Sequence, residues 1–341
     1  MGEKSNYEIL KEKSIKSCYP IHVVFFNEKC QLNCRFCYRK YVNKKNKRNL
    51  NMVEIEHLVE NLKELGTITF ELSGGEPLLI PNFRKIFILI RNYGFKVILT
   101  TNGLQLDYDK AAFILNNGIE SISFSVHGAN KQTHNAIVNK DGAFSKTIKW
   151  AKYFNQFVDV SINFVITKNN YMEMEKANIL FNKMNLKVNF IYNLVPYQNK
   201  PHKMKNIWLN KKELFKVFDS FSKITNNQLS EKDDDNLLCN AGRNQLAIDI
   251  KGDVYPCIQF PQKAGNIRKL NIKKIWDNSK LMKKCRNINK SDYKKMDLSY
   301  LEFGQKCIAN NYVWHGNYFK EDPYNLKIAK WEKEWRRINS I

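Results

Sequence analysis

Cys30, Cys34 and Cys37 place three thiolate donors on one short segment, with three and then two residues between them. Such a set can wrap one corner of an iron–sulfur cube and leave its fourth iron without a protein ligand. An open metal position is where a substrate or cofactor can coordinate. A structural zinc site wants a fourth Cys or His nearby, and none follows before His57. Three buried thiols meeting by coincidence is the plainer reading, and so tight a spacing disfavours it. Tyr38, directly after the third cysteine, suits an aromatic lid over a cluster.

A second segment, Ser73-Gly74-Gly75-Glu76-Pro77, supports the first. Two glycines let a backbone approach a ligand closely, and Glu76 offers a charged acceptor. By itself the segment is as readily an ordinary strand-to-helix turn. Cysteine spacing, following aromatic and GGEP-type turn together resemble the radical S-adenosylmethionine superfamily.

The resemblance implies a [4Fe–4S] cluster on Cys30, Cys34 and Cys37, with S-adenosylmethionine chelated at its open iron. Gly74, Gly75, Glu76 and Pro77 would then receive the methionyl amine, beside Tyr38. Asn102, Ser125 and Asn170 stand where related enzymes hold the cofactor's ribose and carboxylate, though each is equally a loop-capping side chain. Related peptide-modifying enzymes often show Asp where this chain has His127. That leaves its role open, with a surface or hydrogen-bonded histidine favoured over a catalytic one, and His134 is read the same way.

The elements that must position these residues alternate between strand and helix. Strands are expected at 22–26, 67–72, 95–100, 121–125, 158–166 and 187–194. Helices are expected at 53–65, 83–93, 109–116, 144–154 and 171–184. Alternation of this kind argues for parallel βαβ units, and the chemical residues fall in loops after the strands, as in a barrel. The superfamily uses an open six-stranded barrel, so pattern and resemblance agree. The fold class expected is α/β: an open partial (β/α)6 TIM-like barrel over 20–230 behind an N-terminal segment 1–19. A small α+β extension would occupy 231–341.

In that extension Cys239 and Cys257 flank a segment that reads as a hairpin, with Lys251-Gly252-Asp253 as its turn. The turn would bring both thiolates to one end. With Cys285 and Cys307 this resembles a SPASM or shorter twitch extension, which holds auxiliary iron–sulfur clusters. Asn310 stands where a further cysteine would complete a CxxC pair with Cys307. Two auxiliary clusters would need about eight ligands. One is expected, on Cys239, Cys257, Cys307 and either Cys285 or another ligand. Cys285 is alternatively a buried thiol or a hydrogen-atom donor to a substrate radical, and the extension alternatively a fold that has lost its metal. Cys18 reads as an ordinary cysteine. Asp233-Asp234-Asp235 reads as a solvated linker, and a last helix around Trp331 and Trp335 as packing against the barrel or a partner.

Composition bounds the rest. The 341 residues are 43% hydrophobic, enough for a sizeable core. No basic-then-apolar leader opens the chain, and no uncharged apolar run reaches the ~18 residues a membrane span needs. Eight cysteines without a secretion signal suit metal ligation in a reducing cytoplasm. The net charge of +23 is spread widely, as codon bias in an AT-rich genome would spread it. Two dense stretches, 39–48 and 263–290, lack the interleaved aromatics of a single-strand binder, and nucleic acid stays open as a partner.

The expected chemistry is reductive cleavage of S-adenosylmethionine to a 5′-deoxyadenosyl radical that abstracts hydrogen from a substrate. A ribosomally synthesised peptide is the expected substrate, undergoing oxidation, cross-linking or epimerisation. The alternatives are a small-molecule dehydrogenase, an RNA-modifying radical enzyme, and a non-catalytic iron–sulfur redox protein. Expected partners are the peptide, a reductant such as flavodoxin or ferredoxin, and a separate leader-peptide-binding protein.

Overall fold

The computed structural model describes residues 18–42, 48–225, 239–293 and 295–340. Most of the N-terminal segment, part of the basic stretch after Arg39 and the Asp233–Asp235 linker lie outside the described residues.

Apolar residues at alternate positions build the sheet. β1 (His22–Asn27), β2 (Thr69–Gly74), β3 (Lys96–Thr101), β4 (Ser121–Ser125), β5 (Asp159–Val165) and β6 (Lys187–Ile191) are all parallel to their neighbours. Val23, Phe25, Phe70, Leu72, Val97, Leu99, Ile122, Phe124, Ile162 and Phe164 leave one face of the sheet and join the main core. The helices covering that face are α1 (Met52–Glu64), α2 (Phe83–Asn92), α3 (Tyr108–Asn116), α5 (Ala143–Phe154) and α6 (Met174–Asn182). Because strand side chains alternate, the opposite face receives Glu71, Thr100, Ser123, Ser161, Asn163 and Asn189. That polar face is the concave inside of a partial TIM barrel.

Local signals set the helix starts. Asn51 and Glu54 form a reciprocal cap on α1, and Asn210 with Glu213 does the same for α7 (Lys211–Ile224). α4 (Lys131–Val138), capped by Asn130, and α7 were not among the helices expected.

The extension does not form a separate layer. β7 (Gln245–Asp249) pairs in parallel with β1, then β8 (Asp253–Tyr255) and β9 (Gly265–Asn266) follow antiparallel. Among the described residues the result is one continuous sheet, β6-β5-β4-β3-β2-β1-β7-β8-β9. The hairpin expectation holds: Gly252, at φ +84°, turns the chain while Asp249 accepts from the amides of Lys251 and Asp253. Arg268 locks the extension to the barrel, pairing with Glu54 and donating to the carbonyls of Arg48, Asn49 and Lys251.

Among the described residues five further helices follow: α8 (Ile272–Asn278), α9 (Lys280–Asn287), α10 (Leu298–Phe303), α11 (Ile308–His315) and α12 (Pro323–Asn339). Trp335 on α12 donates to Asp219 and packs its ring on Phe218, both in α7, so the last helix packs against the barrel.

Candidate metal centres

The cysteine loop leaves β1 and is held from several sides. Arg35 and Asn33 donate backbone amides to the carbonyls of Ile137 and Val138 at the end of α4. Tyr197 donates its hydroxyl to Arg35 O. Glu28 binds both Arg39 and Lys251, so Arg39, the first cation of the basic stretch, is an internal brace. Phe36, which the motif reading passed over, meets the His127 ring edge-on at 4.6 Å.

Glycine is required at the turn after β2 by contact with this loop. A Cβ on Gly74 would lie 2.4 Å from Asn27 O, and one on Gly75 would lie 2.4 Å from Lys29 O. Gly75 N and Glu76 N donate to those same carbonyls at 2.6 and 2.8 Å. The two motifs are therefore one packed unit, and the glycines admit the cysteine loop as well as any ligand.

Glu76 is fully buried. It accepts from Leu78 N at 3.1 Å, Thr101 Oγ1 at 2.7 Å and Asn102 N at 3.0 Å. Burial raises its pKa to about 7 against those bonds, which pull it down. A carboxylate has about four acceptor sites, so one remains for a further donor. Pro77 opens a short 3-10 turn directly behind it.

Asn102 turns its amide nitrogen to Cys30 Sγ at 3.7 Å while its oxygen accepts from Gln31 Nε2 at 2.8 Å. Ser125 is half-buried at the end of β4. Asn170 caps its own loop. Its oxygen accepts from Thr167 N and Thr167 Oγ1, and its nitrogen donates to His127 O and Val165 O. Four bonds engage both its amide hydrogens and both lone pairs of its oxygen, so in this structure it braces the loop after β5.

His127 and His134 are buried and stacked. His127 Nδ1 accepts from Val165 N at 3.2 Å, and His134 Nδ1 accepts from His127 N at 3.0 Å. Burial holds His127 well below the ordinary range and His134 down at about 4. Both are neutral, hydrogen-bonded histidines.

Tyr38 reaches beyond the first cysteine set. It is half-buried, and its hydroxyl donates to Ile258 O at 3.3 Å, one residue past Cys257. Burial is the largest influence raising its pKa, with the Cys37 and Cys257 thiolates adding to it.

Cys239, Cys257 and Cys307 line a cavity of about 330 Å³ together with His22, Glu71, Gln259 and Gln305. Cys285 is not part of that wall. It is 3% exposed, packed in the extension's core against Gly242, where an added Cβ would come 3.1 Å from its own. Burial, and after it the nearby Cys239, pushes its thiol up to about 12. His22, Glu71 and Phe36 escaped the motif reading. The available signal was a charged Glu71 among the otherwise neutral polar positions of β2, Thr69 and Ser73.

Both cysteine sets fit iron–sulfur clusters. None of the eight cysteines forms a disulfide. Burial, then Cys37 and Cys30, push the Cys34 thiol up, and burial, then Cys239 and Cys307, do the same to Cys257. Thiols that disfavour one another's ionisation call for a cationic partner. Among the described residues no three Cys, His, Asp or Glu side chains converge on one metal-ion position, whereas a cube of four irons spreads its thiolates more widely.

Comparison with known proteins agrees with this arrangement. The family model of the radical SAM superfamily matches residues 24–178, and that of the SPASM iron–sulfur cluster-binding domain matches residues 239–307. The AdoMet-dependent heme synthase of Methanosarcina barkeri is 25% identical over 323 residues, covering 86% of this chain and 93% of that protein. That of Oleidesulfovibrio alaskensis is 21% identical, covering 86% and 84%. Native anSMEcpe with bound AdoMet superposes at TM-score 0.71 with 21% identity, over 93% of this chain and 97% of that one. Streptococcus suis SuiB bound to its precursor peptide SuiA superposes at 0.70 with 17% identity, over 96% and 82%.

Proposed function

We propose that this chain, which carries the radical SAM and SPASM family matches, is a radical SAM enzyme that abstracts hydrogen from a ribosomally synthesised peptide. The observation that carries the substrate class is the polar inside of the barrel. Ser123 and Ser161 hydroxyls lie 2.8 Å apart, and Asn189 donates to Asn163 at 3.2 Å. Neutral donors and acceptors match the amide groups of an extended peptide. The outer strand β6, half exposed along its length, offers an unpaired backbone edge for the same ligand.

When bound, the cluster supplies one electron to S-adenosylmethionine, whose cleavage gives the 5′-deoxyadenosyl radical that takes hydrogen from unactivated carbon. Cys30, Cys34 and Cys37 would hold that cluster, and Asn102 steadies the Cys30 sulfur. The turn Gly74–Pro77 would present backbone groups and the remaining acceptor site of Glu76 to the methionyl amine, with Ser125 beside it. Phe36 and His127 exclude water behind the loop. Cys239, Cys257 and Cys307 would hold one auxiliary cluster, suited to accepting an electron from the substrate and so to net oxidation or cross-linking. We assign residues to about 230 to the barrel and the remainder to the extension. A one-electron donor such as flavodoxin or ferredoxin completes the system, and a separate protein would bind a leader peptide.

A second reading has its own support. The likeness to two AdoMet-dependent heme synthases, over 86% of this chain in each case, favours a tetrapyrrole as substrate. Anaerobic 5′-deoxyadenosine release separates the two. The peptide encoded by a short reading frame beside this gene should stimulate release and change mass, and stimulation by iron-coproporphyrin instead would overturn the peptide reading.

A further inference from the structure

The cavity bounded by Cys239, Cys257 and Cys307 has one more wall with metal-binding chemistry. His22, the first residue of β1, lines it, as does Glu71 of β2. Strand register puts them on one face: Glu71 stands opposite Val24, two residues along from His22, and His22 stands opposite Gln245 of β7. His22 Nε2 lies 3.2 Å from Glu71 Oε2, and Thr100 Oγ1 donates to Glu71 Oε1 at 2.9 Å.

A carboxylate only accepts, so the imidazole donates through Nε2, and a neutral ring so held keeps its lone pair on Nδ1. A neutral imidazole with one nitrogen on a carboxylate and the other presenting a lone pair is how metal-ligating histidines are held. The other polar side chains of this wall are Gln245, Gln259 and Gln305, neutral amides, and Lys306. Iron prefers imidazole to an amide or an ammonium. Cys285, the remaining thiol of the extension, is packed away in the core.

We propose that His22 supplies the fourth ligand, through Nδ1, of the auxiliary cluster held by Cys239, Cys257 and Cys307, with Glu71 fixing its ring and tautomer. The proposal rests on the auxiliary-cluster reading above. Replacing a thiolate by neutral imidazole lowers the negative charge of the cluster and raises its potential, which suits an acceptor of substrate electrons.

The test uses the full chain carrying Cys30→Ala, Cys34→Ala and Cys37→Ala, reconstituted with iron and sulfide, reduced, and examined by pulsed EPR. Wild-type His22 should give a strongly coupled nitrogen whose pattern changes on ¹⁵N-histidine labelling. His22→Ala should lose that coupling. His22→Cys should restore a fully ligated cluster without coupled nitrogen and at lower potential, which guards against a variant that merely misfolds. A cluster with no coupled nitrogen, or one whose coupling survives His22→Ala, overturns the ligand assignment alone. A triple variant with no cluster at all overturns the auxiliary site itself.

Discussion

Tyr38 donates its hydroxyl to the carbonyl of Ile258 at 3.3 Å, so the residue after one cysteine set is tied to the residue after a cysteine of the other. Gln198 donates its amide to the Tyr38 carbonyl at 3.1 Å, and its side chain donates to Gln259 O at 3.2 Å, repeating the link. The separation of the two centres is thus set by a strut rather than by a flexible linker. Tyr38→Phe removes one hydrogen bond from it and should cost about 1 kcal/mol. A lowered urea midpoint with iron content unchanged is the expected result, and unchanged stability would show that the strut carries no load.

Glu76 makes stability depend on pH. Its folded pKa of about 7 lies above the ordinary 4.5, so between those values the folded chain binds a proton the unfolded chain has lost. The stabilisation is full below 4.5, falls as pH rises through the window, and is gone above about 7. The fall is on the order of 3 kcal/mol. Urea titrations of metal-free protein across that range should show it, and Glu76→Gln should flatten the profile.

Cys257 and Cys285 should separate cleanly. With Cys30, Cys34 and Cys37 already replaced, Cys257→Ala should lose the remaining iron. Cys285→Ala should keep it and lose stability of about 1–2 kcal/mol through a small cavity. Equal iron loss in both would return Cys285 to the ligand set.

Asn170→Ala should unfold more easily without binding S-adenosylmethionine more weakly. Four bonds are lost, three of them buried, a cost of roughly 2–4 kcal/mol. Calorimetric titration of the reconstituted enzyme at low temperature reads the affinity, and a clear drop there would restore Asn170 to the cofactor site.

The sequence by itself determined the six parallel strands, the cysteine loop and the turn after β2, because strand alternation and motif spacing are local properties of the chain. It also marked the hairpin at Gly252, where a positive φ favours glycine. Helix α4 escaped it, since His134 is buried by contacts that its short, polar sequence does not announce, whereas α7 was legible, with Leu214, Val217, Phe218 and Phe221 at helical spacing behind the Asn210 cap, and was passed over. Tertiary structure alone decided that β7 continues the barrel sheet beside β1, for either edge of a hairpin strand can pair. It also turned Asn170 inward and sent Cys285 to the core, while bringing His22 to a cavity whose cysteines lie far along the chain. Spacing states which donors a segment owns. Only the packed sheet decides which donors from distant segments share one cavity.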